Sequence, residues 1–243
     1  MLEDPMANLS LTFAPCPAGR LILPGTSEAH VWQIDLNLPR ESHLSAAEQE
    51  RAEAMRHAEK RQDYRHTRSA LRVILSKYLG LAPKDLQISL GPQGKPHLEG
   101  HDLHFNVTHA QGKALIAIAS VPVGIDLEFP RGVNQQEKLV TQYFNPDEAS
   151  EWRNLPAQEQ AKAFLAAWTR KEACLKATGE GIAGGLHRYR VTLRPEEDAK
   201  LISIDGQEEA ARAWTLHAFS SFGDAQAAIC AKSPALTVQA FVL

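Results

Sequence analysis

The apolar positions of the chain fall into runs of two kinds, some alternating with polar residues and some recurring every three or four positions. Residues 1 to 30 are irregular, because Pro5, Pro15, Pro17 and Pro24 are spaced so that no helix passes through them; His30-Val31-Trp32-Gln33-Ile34-Asp35-Leu36 then reads as a strand. Ser45-Ala46-Ala47-Glu48 has the form of a capping box, in which a hydroxyl and a carboxylate satisfy the first free amides of a helix. The helical pattern continues to about Leu79, in one piece or two, with Leu71, Ile74, Leu75, Tyr78 and Leu79 on one face. Arg51, Arg56, Lys60, Arg61, Arg65, Arg68 and Arg72 line the others, as a solvated surface or an anion-binding face. Gly91-Pro92-Gln93-Gly94-Lys95-Pro96 is a loop by composition, followed by adjacent strands at Leu103 to Thr108 and Ala114 to Ala119 and a third at Val123 to Phe129, after the turn at Val121-Pro122.

The second half repeats this order. Asn145-Pro146-Asp147-Glu148 supplies an Asn cap, a proline at the first helical position and a first-turn acid for a short helix. A long helix follows from about Ala157 to Thr178, with Phe164, Ala167, Trp168 and Leu175 on its apolar side and Gly179 as its left-handed stop. Strand-like runs come at Tyr189 to Leu193, Leu201 to Ile204, Trp214 to Phe219, Ala225 to Ala231 and Thr237 to Val242. Helix followed by antiparallel strands, twice over, predicts an α+β chain of two similar halves, 1–121 and 122–243. Nothing at the join has the composition of a flexible linker, so the halves should pack tightly, with a site at their junction.

Composition narrows the class. With 243 residues, 44% hydrophobic and 23% charged, the chain has the make-up of a soluble globular protein, and a net charge of -3 lacks the basic footprint of a nucleic-acid binder. Cys16, Cys174 and Cys230 stand far apart and form neither a zinc motif nor a disulfide framework. The start, Met1-Leu2-Glu3-Asp4-Pro5, is acidic where a signal peptide is basic, and no apolar run is long enough to cross a membrane. A cytoplasmic protein with no membrane or nucleic-acid partner is the expectation.

Three groups of residues carry candidate chemistry. Asp126 and Glu128 stand at i and i+2 of a strand and share a face, either as a solvent-facing acidic pair or as two ligands of a metal. Glu172 and Lys176 lie one turn apart on the long helix, either as a surface ion pair or, with Trp168 anchoring that face, as part of a site. Asp126, Glu128 and Glu172 together make the all-oxygen ligand set that magnesium accepts, without the His and Cys that zinc prefers. In the third group, Gly94-Lys95-Pro96 precedes Phe105-Asn106-Val107-Thr108-His109, where Asn106 and Thr108 point to one side of a strand. His109 is then either a surface residue or, beside Lys95 and the arginine-lined helix, a phosphate ligand.

Val123-Gly124-Ile125-Asp126-Leu127-Glu128 and Trp168-Thr169-Arg170-Lys171-Glu172-Ala173-Cys174-Leu175-Lys176, preceded by Gly94-Lys95-Pro96-x-Leu98 and Phe105-Asn106-x-Thr108-His109, resemble in order and spacing the motifs of the Sfp-type 4′-phosphopantetheinyl transferases. Thr108 stands where that family usually has serine. The resemblance implies a pseudo-dimer of α+β halves with antiparallel sheets and packed helices, with coenzyme A between a nucleotide-side first half and a second half carrying the metal and catalytic motifs. It implies magnesium on Asp126, Glu128 and Glu172, with Lys171 and Lys176 near the pyrophosphate. Arg51 and His109 would hold the 3′-phosphate, and Gly94, Lys95, Pro96 and Thr108 would line the adenine and ribose. Glu172, Lys176 and Glu148 are the catalytic candidates, with Glu172 or Glu148 as base. The implied reaction moves phosphopantetheine from coenzyme A to a serine of an apo acyl, peptidyl or aryl carrier protein, releasing adenosine 3′,5′-bisphosphate, and a monomer suffices for it. The alternatives are another magnesium-dependent phosphoryl or nucleotidyl transferase and a non-catalytic carrier-binding module.

Overall fold

A computed structural model describes residues 8–130, 135–181 and 185–243; the acidic opening of the chain, Met1 to Pro5, lies outside them. After a short strand, β1 (Phe13–Pro15), a first unit runs β2 (Glu28–Asp35), α1 (Ala46–Glu53), α2 (Ala58–Leu79), the hairpin β3 (Ile88–Leu90) and β4 (Pro96–Leu98), β5 (His104–Ala110) and β6 (Lys113–Ala119). A second unit follows with β7 (Val123–Glu128), α3 (Gln136–Tyr143), α4 (Pro146–Arg153), α5 (Ala157–Thr178), the hairpin β8 (Tyr189–Val191) and β9 (Leu201–Ile204), α6 (Glu208–Ala211), β10 (Thr215–Ser221) and β11 (Ala225–Ala231). The antiparallel ladder β2-β6-β5 of the first unit recurs as β7-β11-β10 in the second. The repeated element order inferred from the sequence is therefore a repeated strand pairing.

The last strand, β12 (Thr237–Val242), departs from the expected all-antiparallel sheets. It leaves the second unit and enters the first unit's sheet between β1 and β2, parallel to both, with Thr237 opposite Glu28 and Val242 opposite Gln33. A strand arriving from the other unit needs no tight turn, so nothing forces it to run antiparallel. Pro15 lies on β1, at the edge of that sheet, where a missing amide leaves no ladder bond unmade.

Strand alternation sorts the chain into four layers. Trp32, Ile34, Ile116 and Ile118 face α2 and meet Leu71, Ile74, Leu75 and Tyr78. Their neighbours Val31, Leu115 and Ala117 face the other sheet and meet Ile125, Leu127, Ala227 and Ile229. On the far side of the second sheet, Ala228 and Cys230 lie under Phe164, Ala167, Cys174 and Leu175 of α5. Each fully buried aliphatic side chain in these layers contributes about 1.5–3 kcal/mol, and the three clusters together clamp the two sheets face to face.

Both capping boxes form, and both do more than cap. Glu48 accepts from the Ser45 amide at 3.0 Å and, buried, from Arg72 at 2.6 Å and Arg68 at 2.6 Å. Glu148 accepts from the Asn145 amide at 2.8 Å and, buried, from Lys171 at 2.5 Å and the Val191 amide at 2.7 Å. In each unit the first-turn acid of a short helix thus receives a cation from the following 22-residue helix. Stripping one partner from such a buried pair leaves an uncompensated charge.

Helix α5 crosses β7 at very short range. A Cβ on Gly124 would lie 2.2 Å from the Ala173 carbonyl oxygen, 2.3 Å from the Ala177 nitrogen and 2.8 Å from the Lys176 carbonyl carbon, all of them backbone atoms that no rotamer change can move away. Glycine is required there for lack of space.

Two outcomes follow for stability. Gly124→Ala should cost about 1–3 kcal/mol or more through overpacking, read as a lowered urea midpoint. Burial alone would raise the Glu48 carboxyl, but the Arg72 and Ser45 hydrogen bonds and the Arg68 and Arg72 charges outweigh it and hold it below the ordinary 4.5. A depressed folded value means that its stabilisation is present above the unfolded value and lost as pH falls through the folded one. The urea-midpoint gap between the native chain and Glu48→Gln should therefore be wide at pH 6 and shrink toward pH 3; a gap that is constant with pH would contradict this.

Candidate active site

Strand alternation on β7 turns Gly124, Asp126 and Glu128 toward α5 rather than to water, and Asp126 is only 4% exposed. The acidic pair is therefore not a solvated one. Lys176, one helical turn beyond Glu172, reaches down to Asp126 and donates to its Oδ1 at 2.5 Å, so the expected Glu172–Lys176 surface pair is replaced by a contact across the crossing. The Thr108 hydroxyl donates to the same Oδ1 at 3.2 Å and lies 3.4 Å from the Lys176 ammonium.

Two residues without an assigned role in the sequence reading hold this arrangement. Asn106 is buried between the edge strands β5 and β7, which share no ladder; its side-chain oxygen accepts the Ile125 amide at 2.9 Å and does the work of a missing backbone carbonyl. Because Thr108 follows Asn106 by two positions, it points the same way and lands on Asp126. Gly124, two positions before Asp126, lets α5 come close enough for Lys176 to reach. The signals were present in the sequence as an Asn-x-Thr and a Gly-x-Asp with period two, but the partner of each lies on another element.

Glu172 faces a cavity of about 260 Å³ lined also by Asn106, Lys176, Gly94, Lys95 and Pro96. Its carboxyl is pushed up by burial, opposed by the Lys176 charge and reinforced by the charges of Asp126 and Glu128. The three acids thus share one region of space. The cavity borders a larger cleft of about 730 Å³ between the Gly91–Pro96 loop and the C-terminal end of α5. Lys95 spans the two units: its ammonium donates to the carbonyls of Lys176 at 2.6 Å, Val123 at 3.0 Å and Ala177 at 3.1 Å, and burial lowers its pKa to about 8. It caps the end of α5 and fixes the loop.

Other expected residues lie elsewhere. Lys171 is fully buried, donating to Glu148 and to the Tyr189 carbonyl, so it does not reach a pyrophosphate in the cleft. Neighbouring residues on a helix point about 100° apart, so a chain that aims Glu172 at the cavity aims Lys171 into the core. Glu148 has both oxygens engaged in the interior and is no base for an incoming hydroxyl. Arg51 is exposed, its guanidinium 5.8 Å from the centre of the Tyr64 ring, and His109 is exposed near the end of β5 on the face opposite Thr108.

The residues present fit a hard divalent cation. Asp126 Oδ2 is buried and has no hydrogen-bond partner, an unsatisfied anionic oxygen of the kind a cation satisfies. The neighbouring donors Glu128 and Glu172 are also carboxylates, whose mutual repulsion a positive charge would relieve. No group of three acidic, His or Cys side chains among the described residues is already drawn together around one point, so binding would require Glu128 and Glu172 to move toward Asp126.

Comparison with known proteins places the chain in a family. The model of the 4′-phosphopantetheinyl transferase superfamily matches residues 122–230, which hold β7 and α5. The 4′-phosphopantetheinyl transferase HetI of a Nostoc species is 36% identical over 219 residues, covering 86% of this chain and 88% of that protein. A 4′-phosphopantetheinyl transferase of Bacillus subtilis is 27% identical over 204 residues, covering 79% of this chain and 88% of its own, and the Sfp enzyme of the same species is 28% identical over 127 residues, covering 52% and 56%. With likeness extending over nearly the whole of both chains in the first case, this chain belongs to the 4′-phosphopantetheinyl transferase superfamily of enzymes.

Proposed function

We propose that the enzyme transfers the 4′-phosphopantetheine of coenzyme A to a serine of an apo acyl, peptidyl or aryl carrier protein, with magnesium bound by Asp126, Glu128 and Glu172, and releases adenosine 3′,5′-bisphosphate. The observation that carries this reading is Asp126, buried beside a cleft, with one oxygen held by Lys176 and Thr108 and the other without a partner. In the reaction a bond forms between the serine oxygen and the β-phosphorus, the pyrophosphate bridge breaks, and the bisphosphate leaves with the bonding electrons. When bound, magnesium supplies neutralisation of pyrophosphate charge.

The chain's own groups do the rest. Lys176 is 28% exposed on its side chain, which leaves its ammonium able to meet an anion while Asp126 and Thr108 fix its direction. It offsets the charge that builds on the leaving phosphate. Glu172, raised by burial and by its acidic neighbours, takes the serine proton directly or through water. Gly94, Lys95 and Pro96 shape the wall on which the nucleotide rests, and Arg51 and His109 contact its 3′-phosphate once the ligand draws these exposed side chains in. A cytoplasmic monomer suits this reading, since both walls of the cleft come from one chain, the three cysteines are free, and no helix among the described residues is long and apolar enough to cross a membrane.

Intact mass measurement of apo carriers incubated with coenzyme A and magnesium should show a phosphopantetheine-sized gain, lost in Asp126→Asn. No gain with any of the three carrier classes, or an equal gain with the variant, would refute the assignment. The two lysines should separate. Lys176→Met should lower turnover by about 10²–10³-fold with a smaller drop in urea midpoint than Lys171→Met, because Lys176 is partly exposed and Lys171 is not; Lys171→Met should destabilise the fold by about 3–5 kcal/mol.

A further inference from the structure

Helix α2 has a second basic face that the site does not use. Arg68 and Arg72 are consumed by Glu48. Ala58, Arg61, Gln62, Arg65, His66 and Ser69 instead follow the three-and-four spacing of one helix stripe, and with Arg40 and Ser42 they line a separate cavity of about 410 Å³. The cleft lies against a different stripe: its lining residues Leu103 and Phe105 pack with Leu71, Ile74 and Leu75.

The lining holds three guanidiniums, two hydroxyls and an imidazole, and no carboxylate. Arg61 donates to the Met55 carbonyl at 3.3 Å, Arg65 to the Gln49 side-chain oxygen at 3.3 Å, and Arg40 to the Leu243 carbonyl at 2.9 Å. The acceptors of Arg61 and Arg65 are neutral, Arg40 meets the main-chain oxygen of Leu243, and among the described residues neither Arg61 nor Arg65 is joined to an acid by an ion pair. Arg40 Nε is moreover buried without a hydrogen-bond partner. Burial weakens the hold of that guanidinium on its proton, and the charge of Asp35, itself engaged by Lys113 at 2.7 Å, only partly offsets this. His66 donates from Nδ1 to the Leu36 carbonyl at 2.6 Å, which fixes its ring and leaves Nε2 for another partner. Ala58 opens α2, and its N-cap residue His57 makes no side-chain capping bond, so the positive end of a 22-residue helix borders the same space.

We propose that this cavity is a second anion site, distinct from the cleft, that takes a phosphate-class dianion, either inorganic phosphate or the phosphomonoester of a small molecule. Forked guanidinium donors match phosphate oxygens in pairs, and such a ligand is the partner that Arg40 Nε and the net positive lining lack. The concave shape suits a small dianion rather than the flat face of a protein.

Calorimetric titration of the full chain at fixed ionic strength, with inorganic phosphate and separately with glycerol phosphate, tests this and shows which source binds tighter. The affinity should fall about tenfold for each guanidinium removed, so Arg61→Gln/Arg65→Gln should bind phosphate roughly 100-fold more weakly. Ser42→Asp, at an exposed rim position, should weaken it by placing a carboxylate there, and it keeps the test open if the double variant folds poorly. Equal phosphate affinity in native and variant chains would overturn the proposal. So would a double variant whose KM for an acidic carrier rises while its phosphate affinity is unchanged, since that result makes the face a docking surface.

Discussion

The close crossing of α5 over β7 is the constraint on which the rest of the molecule depends. A backbone-to-backbone approach at Gly124 brings the last turns of a long helix onto the strand that carries Asp126 and Glu128. Move the helix outward by the radius of one methyl group and Lys176 no longer reaches Asp126, while Lys95 loses two of its three carbonyl acceptors at the helix end. The packing of the second core, the cap on the helix and the geometry of the site are therefore one condition met at one residue.

Much of the site was legible because its residues sit within single elements. Two acids alternating on a strand and an acid and a base one turn apart on a helix are local patterns, and Asp126, Glu172 and Lys176 do converge. What could not be read was which of several charged residues turns inward. Lys171 and Glu148 looked available because each sits beside a motif; they are the interior pair that fastens α4 to α5. Thr108 matched a nucleotide-lining position by resemblance, and its hydroxyl is on Asp126. In each case the deciding partner lies on another element, and sequence spacing carries no information about it.

The fold divides in the same way. The bounds of α5, β9, β11 and β12 agree with the periodicity, and both capping boxes form as their residue types require. The repeat proved deeper than element order, since each unit buries its first-turn glutamate against a cation from its long helix, by arginine in one and lysine in the other. Such a pair adds little net stability over an apolar replacement, yet it permits one mutual orientation of the two helices. Helices α3 and α6, by contrast, have no counterpart among the described residues of the first unit, so the likeness of the halves is carried by the sheet, the short capped helix and the long helix.

The placement of β12 bears on how the chain reaches this state. Its ladder joins Thr237 to Glu28 on one side and Ala240 to Phe13 on the other, partners more than 200 residues apart in the sequence. Until that strand arrives, β2 presents an unpaired edge and Phe241 is missing from the core around Trp32. The first unit's sheet is thus completed only after β12 has been made, and until then one side of β2 is an open edge.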